Sequence, residues 1–465
     1  MPMSTPGAAP VPLKIAYLGG GSRGWARTLM ADLALCPSLC GHVSLYDLNR
    51  SAAELNASLG AWIQARPGAV SQWRYEVADS LPAALTGADF VVCSIQPGPL
   101  QAMEADLAIS ARYGLHYPVG DTVGAPGLMR GLRAALIYEG FAREIATYCP
   151  DAWVINYTNP MTICTRTLTA VEPRLKVFGC CHEVFGTQEL LAEWAAREYG
   201  VPAPPRQQIR VNVLGINHFT WIDRAEFGGH DLLALLREAI ERPGVMRDYS
   251  RAEVEAWGDY FCCAHQVKYH LLRRYGILAA AGDRHLAEFV PGFLIDEETP
   301  YRFGFSRTPM AYRYGRWEEA EAQTRALMAG ERPYTLAHSA EEGVEQICAL
   351  LGLGDLVTNC NRPNVGQMPD LPEGAVVETN ARFSRDSVQP LAAGHLPAGA
   401  LSLVAPHVRN QELMVQAALA RDVDLAFQAV FSDPLTGLPI DLAWAMFREM
   451  LAATGDHLPG FVVPA

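Results

Sequence analysis

The stretch Lys14–Gly24, KIAYLGGGSRG, sets an apolar run directly against glycines at 19, 21 and 24. Lys14–Leu18 reads as a buried strand and Trp25–Leu35 as the helix after the turn. His42–Tyr46 reads as a second strand ending at Asp47. Strand, glycine turn, helix, strand and acidic residue is the order of a dinucleotide-binding βαβ unit. The glycines allow a tight turn and close backbone approach to a pyrophosphate, whose charge the helix N-terminus then faces. Asp47 is suited to accept from a ribose hydroxyl and to repel a 2′-phosphate, which favours NAD over NADP. Gly19 and Asp47 are further apart than the usual ~20 residues, and the Cys36–Gly41 loop is expected to absorb the excess.

Further apolar runs follow at Trp73–Val77, Phe90–Ile95, Trp153–Tyr157 and Val177–Cys180. Helical stretches lie between and after them, at Leu128–Tyr148 and Gln188–Tyr199. Strands alternating with helices imply an α/β fold with a doubly wound, mainly parallel sheet, a Rossmann-type domain over residues 13–205. Ligands of such sheets sit beyond the strand C-termini, where Asn156, Asn159, Cys181 and His182 fall. From about Arg206 the pattern changes. Gln208–Gly215 reads as a strand, and Asp231–Glu241, Arg251–Tyr275 and Gln411–Ala420 as helices. Residues 206–465 are expected to form an α+β lobe that closes over the cofactor, carries substrate and metal residues and mediates oligomerisation.

Composition narrows the function. Half of the 465 residues are hydrophobic and 19% are charged, enough for a large core. The net charge of -13 argues against a nucleic-acid binder, which needs a basic face. No apolar run approaches the ~20 residues of a membrane helix. Residues 1–12 read as a flexible leader without signal-peptide character. Eleven cysteines in such a chain point to reduced thiols and a cytoplasmic location.

Several clusters carry chemistry. Cys181 and His218 lie at strand ends, and a thiolate with an imidazole can ligate a divalent metal. A buried structural cysteine with a hydrogen-bonded histidine is the plainer alternative. His182 adds a further nitrogen beside Cys181. Asn156 and Asn159 in NYTNPM suit a turn, or amides that orient sugar hydroxyls. Asp121 in GDTVG suits a helix cap or a substrate contact. Arg130 and Arg133 near the following helix start can meet an anion. Asp283, Arg284, His285 and Glu288 crowd the segment GDRHLAEF, with Tyr269 and Tyr275 upstream as further candidate bases.

Taken together, GGGS, NYTNPM, CCHEV, GINHFTW and GDRHLAEF resemble glycoside hydrolase family 4, the NAD- and manganese-dependent glycosidases, over nearly the whole chain. The resemblance implies a fold like that of lactate and malate dehydrogenases. It implies NAD contacts at Gly19, Gly21, Ser22, Arg23, Asp47 and Asn49, and metal ligation by Cys181 and His218. Asn159 corresponds to the sugar-binding asparagine, with Asp121, Arg130 and Glu183 as further substrate contacts. Asp283 is the first choice for the base and Tyr275 the second. His182 is the third catalytic candidate; it occupies a position that varies within the family and holds the proposed acid, an Asp, in phospho-sugar members, so it argues against a 6-phosphoglycosidase. CHEV is similar to the subgroup acting on α-galacturonides. The implied chemistry is oxidation at C3, loss of the C2 proton, elimination and water addition, with NAD recycled. The family also implies a homodimer or homotetramer acting on a small sugar. Other activities in view are α-galactosidase, α-glucosidase, sulfoquinovosidase and a plain NAD-dependent hydroxy-acid dehydrogenase.

Overall fold

The computed structural model describes residues 9–462. Six strands form the first half of the main sheet: β1 (Val11–Leu18), β2 (Leu39–Tyr46), β3 (Gln72–Val77), β4 (Phe90–Cys93), β5 (Trp153–Asn156) and β6 (Lys176–Gly179). They are parallel and ordered β3-β2-β1-β4-β5-β6, the doubly wound order of dinucleotide-binding folds. Residues of β1 alternate between two clusters. Ile15 and Tyr17 enter one, Ala16 and Leu18 the other. Both sheet faces are therefore buried, which is why the strands read as continuous apolar runs.

The second half of the chain adds β7 (Arg210–Ile216), β8 (Phe219–Phe227), β9 (His230–Asp231), β10 (Leu278–Ala279), β11 (Leu356–Pro363), β12 (Val376–Ser384) and β13 (Ser387–Pro390). The last three continue the main sheet antiparallel beyond β6, giving nine strands in all. Phe178 of β6 meets Phe383 of β12 at 5.1 Å between ring centroids. A buried Phe at such a junction is worth about 3–5 kcal/mol against alanine. The remaining strands form a separate antiparallel sheet, ordered β10-β8-β7 with β9 beside β8.

Several boundaries differ from expectation. Of the leader expected over residues 1–12, residues 1–8 lie outside the described residues, and Val11 and Pro12 already belong to β1. Leu39, Cys40 and Gly41, read as loop, are part of β2. The helix expected from Leu128 starts at Gly124, because Pro126 sits in the first turn, where its missing N–H costs nothing. The helix expected from Gln188 starts at Glu183, with Val184 and Phe185 packed into the core. The long helix expected over Arg251–Tyr275 is two, Arg251–Glu255 and Gln266–Tyr275. Gly258 and His265 between them have φ of 68° and 57°, which no α-helix accepts. The helix expected from Gln411 starts at Ala398 and tolerates Pro406 within it.

Candidate active site

The glycine turn follows β1 at the point where strand order reverses, between β1 and β4. Gly19 has a φ of 93°, and a Cβ there would stand 2.0 Å from the Ser94 carbonyl oxygen. Only glycine fits that approach. Asn56 braces the turn by donating to the carbonyls of Gly20 and Ser22, both at 2.8 Å. The Trp25–Ala34 helix begins with no side-chain cap, so its N-terminal N–H groups are available to an anion. Asp47 accepts from the N–H of Gly21 and of Asn49, each at 2.8 Å. These residues fit a dinucleotide. Ser22 points its hydroxyl toward that of Ser94, 3.4 Å away. Asn49 is instead the cap of the Arg50–Gln64 helix, accepting from Ala52 N–H. Arg23 stacks on Trp317, 4.3 Å from the ring centroid.

From Trp25 a cavity of about 580 Å³ runs between the lobes, lined among others by Asp121, Arg130, Asn159, Cys181, His182, Glu183, His218 and Asp283. The structure therefore brings together residues that lie far apart in the chain. His218 occupies the two-residue turn between β7 and β8 at a φ of 62°, a strained conformation for a histidine. Its Nδ1 is 2.8 Å from the Thr122 hydroxyl, and its ring lies 3.8 Å from that of His285. One donor atom each from Asp121, His218 and His285 lies within 4.8 Å of the others, a set that fits a divalent cation. Asp121 is not a helix cap: Val123 holds that position, and Gly124 N–H donates to Asp433.

The electrostatics agree with that arrangement. Burial drives His218 down to about 3, and His285 adds to the effect, so the imidazole is neutral and able to ligate. Burial by itself would raise Asp121, but His285, His218 and Arg130 outweigh it and hold the carboxyl well below its ordinary range. Glu183 is likewise drawn down to about 2 against the effect of burial, chiefly by His285 and His218. It accepts from Gly282 N–H at 2.6 Å and lies 3.5 Å from His285. Cys181 opens on the same cavity, while burial, Glu378 and Glu183 keep its thiol protonated. A bound cation is what would convert it to a thiolate.

Asp283 is fully buried at the N-terminus of the Gln266–Tyr275 helix, accepting from Val267 and Lys268 N–H at 3.2 and 3.1 Å. Burial pushes its carboxyl up to about 6, a value suited to a base at neutral pH. Tyr275, the second choice, is not among the cavity's lining residues. Its side of the helix end packs on Trp221, 5.8 Å between rings. Asn159 and Asp121 approach at 3.4 Å. Arg130 donates to the Asn159 carbonyl at 2.9 Å and to Gln96 at 3.1 Å. Arg133 is removed from the cavity by a buried ion pair with Asp106.

Three groups escaped sequence reasoning. Glu341 lies 3.0 Å from His182 Nδ1 and raises that imidazole's pKa. Glu378 sits behind Cys181 and bonds Asn359 and Asn217. Lys268 is buried beside Asp283 and donates to Thr187 at 2.7 Å. None belongs to a recognisable motif. Only the charged positions in otherwise apolar strand and helix stretches at Glu378 and Lys268 hinted at a polar interior.

Glu288, also buried, shapes the Asp121 loop by accepting from Val119 and Gly120 N–H at 2.7 and 2.8 Å. Burial pushes its carboxyl from the ordinary 4.5 up to about 8. The folded state thus holds this proton more tightly than the unfolded state. The resulting stabilisation is complete below about pH 4.5, declines as pH rises, and is gone above about 8. The melting temperature of the wild type should therefore fall relative to that of Glu288→Gln between about pH 5 and 8. Parallel curves would refute a neutral Glu288.

The fold and the cavity define a two-lobed enzyme that sets a dinucleotide-type glycine turn beside an imidazole–carboxylate–thiol cluster. Residues 14–196 match the family 4 glycosyl hydrolase model, and residues 213–436 match the C-terminal domain of the same family. The chain belongs to glycosyl hydrolase family 4 and is a glycosidase. It is 46% identical over 455 residues to an alpha-galacturonidase of Thermoanaerobacterium saccharolyticum, covering 97% of this chain and 98% of that protein. The crystal structure of lplD from Bacillus subtilis superposes with a TM-score of 0.89 at 47% identity, over 95% of this chain and 100% of that one. A 6-phospho-alpha-glucosidase from gut microorganisms, solved in complex with NAD and Mn2+, shares the fold with a TM-score of 0.79 at 19% identity, over 97% of this chain and 100% of that one. No helix among the described residues is long and apolar enough to cross a membrane.

Proposed function

We propose that this glycosidase hydrolyses α-galacturonides, using NAD and Mn2+ as recycled cofactors. The observation that carries the reading is the cavity that runs from Trp25, the residue after the glycine turn, past His218, Asp121, His285, Cys181 and Asp283. The near-full-length likeness to an alpha-galacturonidase supports the sugar. The glycine turn and Asp47 would hold the dinucleotide, and Cys181 and His218 would hold the metal, with Asp121 and His285 beside them. When bound, NAD would supply a hydride acceptor and Mn2+ a Lewis acid.

The chain supplies the rest. Asp283, fixed by two backbone N–H groups, takes the C2 proton. His182, whose protonated form the hydrogen bond with Glu341 favours, gives a proton to the departing glycosidic oxygen. Asn159, held by Arg130, orients the sugar hydroxyls. Loss of the C2 proton and of the aglycone from C1, addition of water, and return of the hydride to C3 would yield the free sugar with no net redox change. Eleven free thiols support a cytoplasmic site of action, and the family likeness supports a homodimer or homotetramer.

The test is p-nitrophenyl α-D-galacturonide. Cleavage is expected only with NAD, Mn2+ and a reductant together, with no build-up of NADH. Continuous NADH formation from a hydroxy acid, without glycoside cleavage, would sink the proposal.

A further inference from the structure

One part of the cavity wall carries two arginines with no part in the bond-breaking chemistry. Arg284, beside Asp283, is buried. It donates to the Thr308 hydroxyl, and its guanidinium stands 4.8 Å from the Phe261 ring. Arg313, on the Met310–Met328 helix, donates to the Val119 carbonyl at 2.8 Å. Both line the cavity, and Nε of each has no hydrogen-bond partner. Among the described residues no carboxylate lies within 4.0 Å of either guanidinium. The acidic groups nearby are engaged elsewhere: Glu288, kept neutral by burial, with Val119 and Gly120 N–H, and Asp121 with Thr122 and the two imidazoles.

A guanidinium in a buried setting without a counter-charge is costly, so the pair suits an anion supplied from outside the chain. The planar fork of arginine matches a carboxylate, which it can hold with two parallel hydrogen bonds. Arg130 also has one unpartnered nitrogen, Nη1, but its Nε and Nη2 already hold the Asn159 carbonyl and Gln96, which leaves it the weaker candidate for that role. Arg284 lies in the first turn of the Asp283–Phe289 helix and Arg313 in the first turn of the Met310–Met328 helix, and both guanidinium groups feel the charge of Asp121, at the cluster end of the cavity.

We propose that Arg284 and Arg313 form the subsite that recognises the C6 carboxylate of the sugar, and so set the preference for a uronide over a neutral hexoside. This rests on the galacturonide reading above. The test uses the enzyme loaded with NAD and Mn2+, with D-galacturonate and its methyl ester, which differ in charge and by one methyl group, as probes. Calorimetry on Arg313→Gln should give a Kd for galacturonate raised about 100-fold, with the ester changed by no more than about threefold. Arg313→Lys should recover part of the loss by restoring the charge. Cleavage of p-nitrophenyl α-D-galacturonide should fall mainly through KM.

Unchanged galacturonate binding in Arg313→Gln, or equal weakening of acid and ester, would overturn the subsite. The partly exposed position of Arg313 favours a folded variant, and an unchanged melting temperature verifies it. A wild type that cleaves α-galactosides but neither binds galacturonate nor cleaves its glycosides would remove the substrate reading itself, and the subsite with it.

Discussion

Asp283→Asn should lower kcat for glycoside cleavage by about 10³-fold, in the range expected for loss of a positioned general base. The variant keeps a carbonyl oxygen to accept one of the two N–H groups at the start of the Gln266–Tyr275 helix, so it should fold. Two readouts separate a base from a merely structural carboxylate. The wild-type rate should rise with pH through about 6, the region to which burial raises this carboxyl, because the base acts only when deprotonated. Exchange of the sugar C2 proton with D2O solvent should accompany turnover in the wild type and vanish in Asp283→Asn. Persistent exchange in the variant would transfer the role of base to another group in the cavity.

The second large effect is expected at Cys181. Cys181→Ser exchanges a thiol that a cation can deprotonate for a hydroxyl that stays protonated and so supplies no anionic ligand. Affinity for Mn2+, followed by electron paramagnetic resonance of the free ion, should fall by more than the roughly 10–100-fold that losing an outer-shell partner costs. Metal-dependent cleavage should be lost with it. Dinucleotide affinity should change little, since the glycine turn and Asp47 are separate from this thiol. Full retention of Mn2+ binding would place the ion on Asp121, His218 and His285 without Cys181.

Much of this protein was legible early because its sequence signals are local. Strand, glycine turn, helix, strand and Asp47 form a contiguous unit whose geometry is dictated by glycine sterics and by two-faced burial of the β1 run. CCHEV and GINHFTW were likewise readable, because each lies at a strand end, where backbone geometry fixes the direction of its side chains. Helix limits were less so. The helices expected from Leu128 and Gln411 start earlier, at Gly124 and Ala398, with Pro126 in a first turn and Pro406 tolerated within a packed helix. Continuous helical periodicity over Arg251–Tyr275 concealed a break that brings Phe261 and Cys263 into the cavity.

The sequence by itself determined that a dinucleotide-type turn coexists with a cysteine, histidines and an aspartate able to handle a metal and a proton. Tertiary structure decided which of them meet. It placed His285 and Asp121 against His218, put Asp283 rather than Tyr275 in the cavity, and withdrew Arg133 into a pair with Asp106. It also added Glu341, Glu378 and Arg313, which carry no motif, and set Arg284 of GDRHLAEF in the cavity wall. The reason is physical. Glycine turns and strand ends depend on neighbours in sequence, whereas the charge state and accessibility of a buried group depend on groups from elements far along the chain, and packing alone sets those distances.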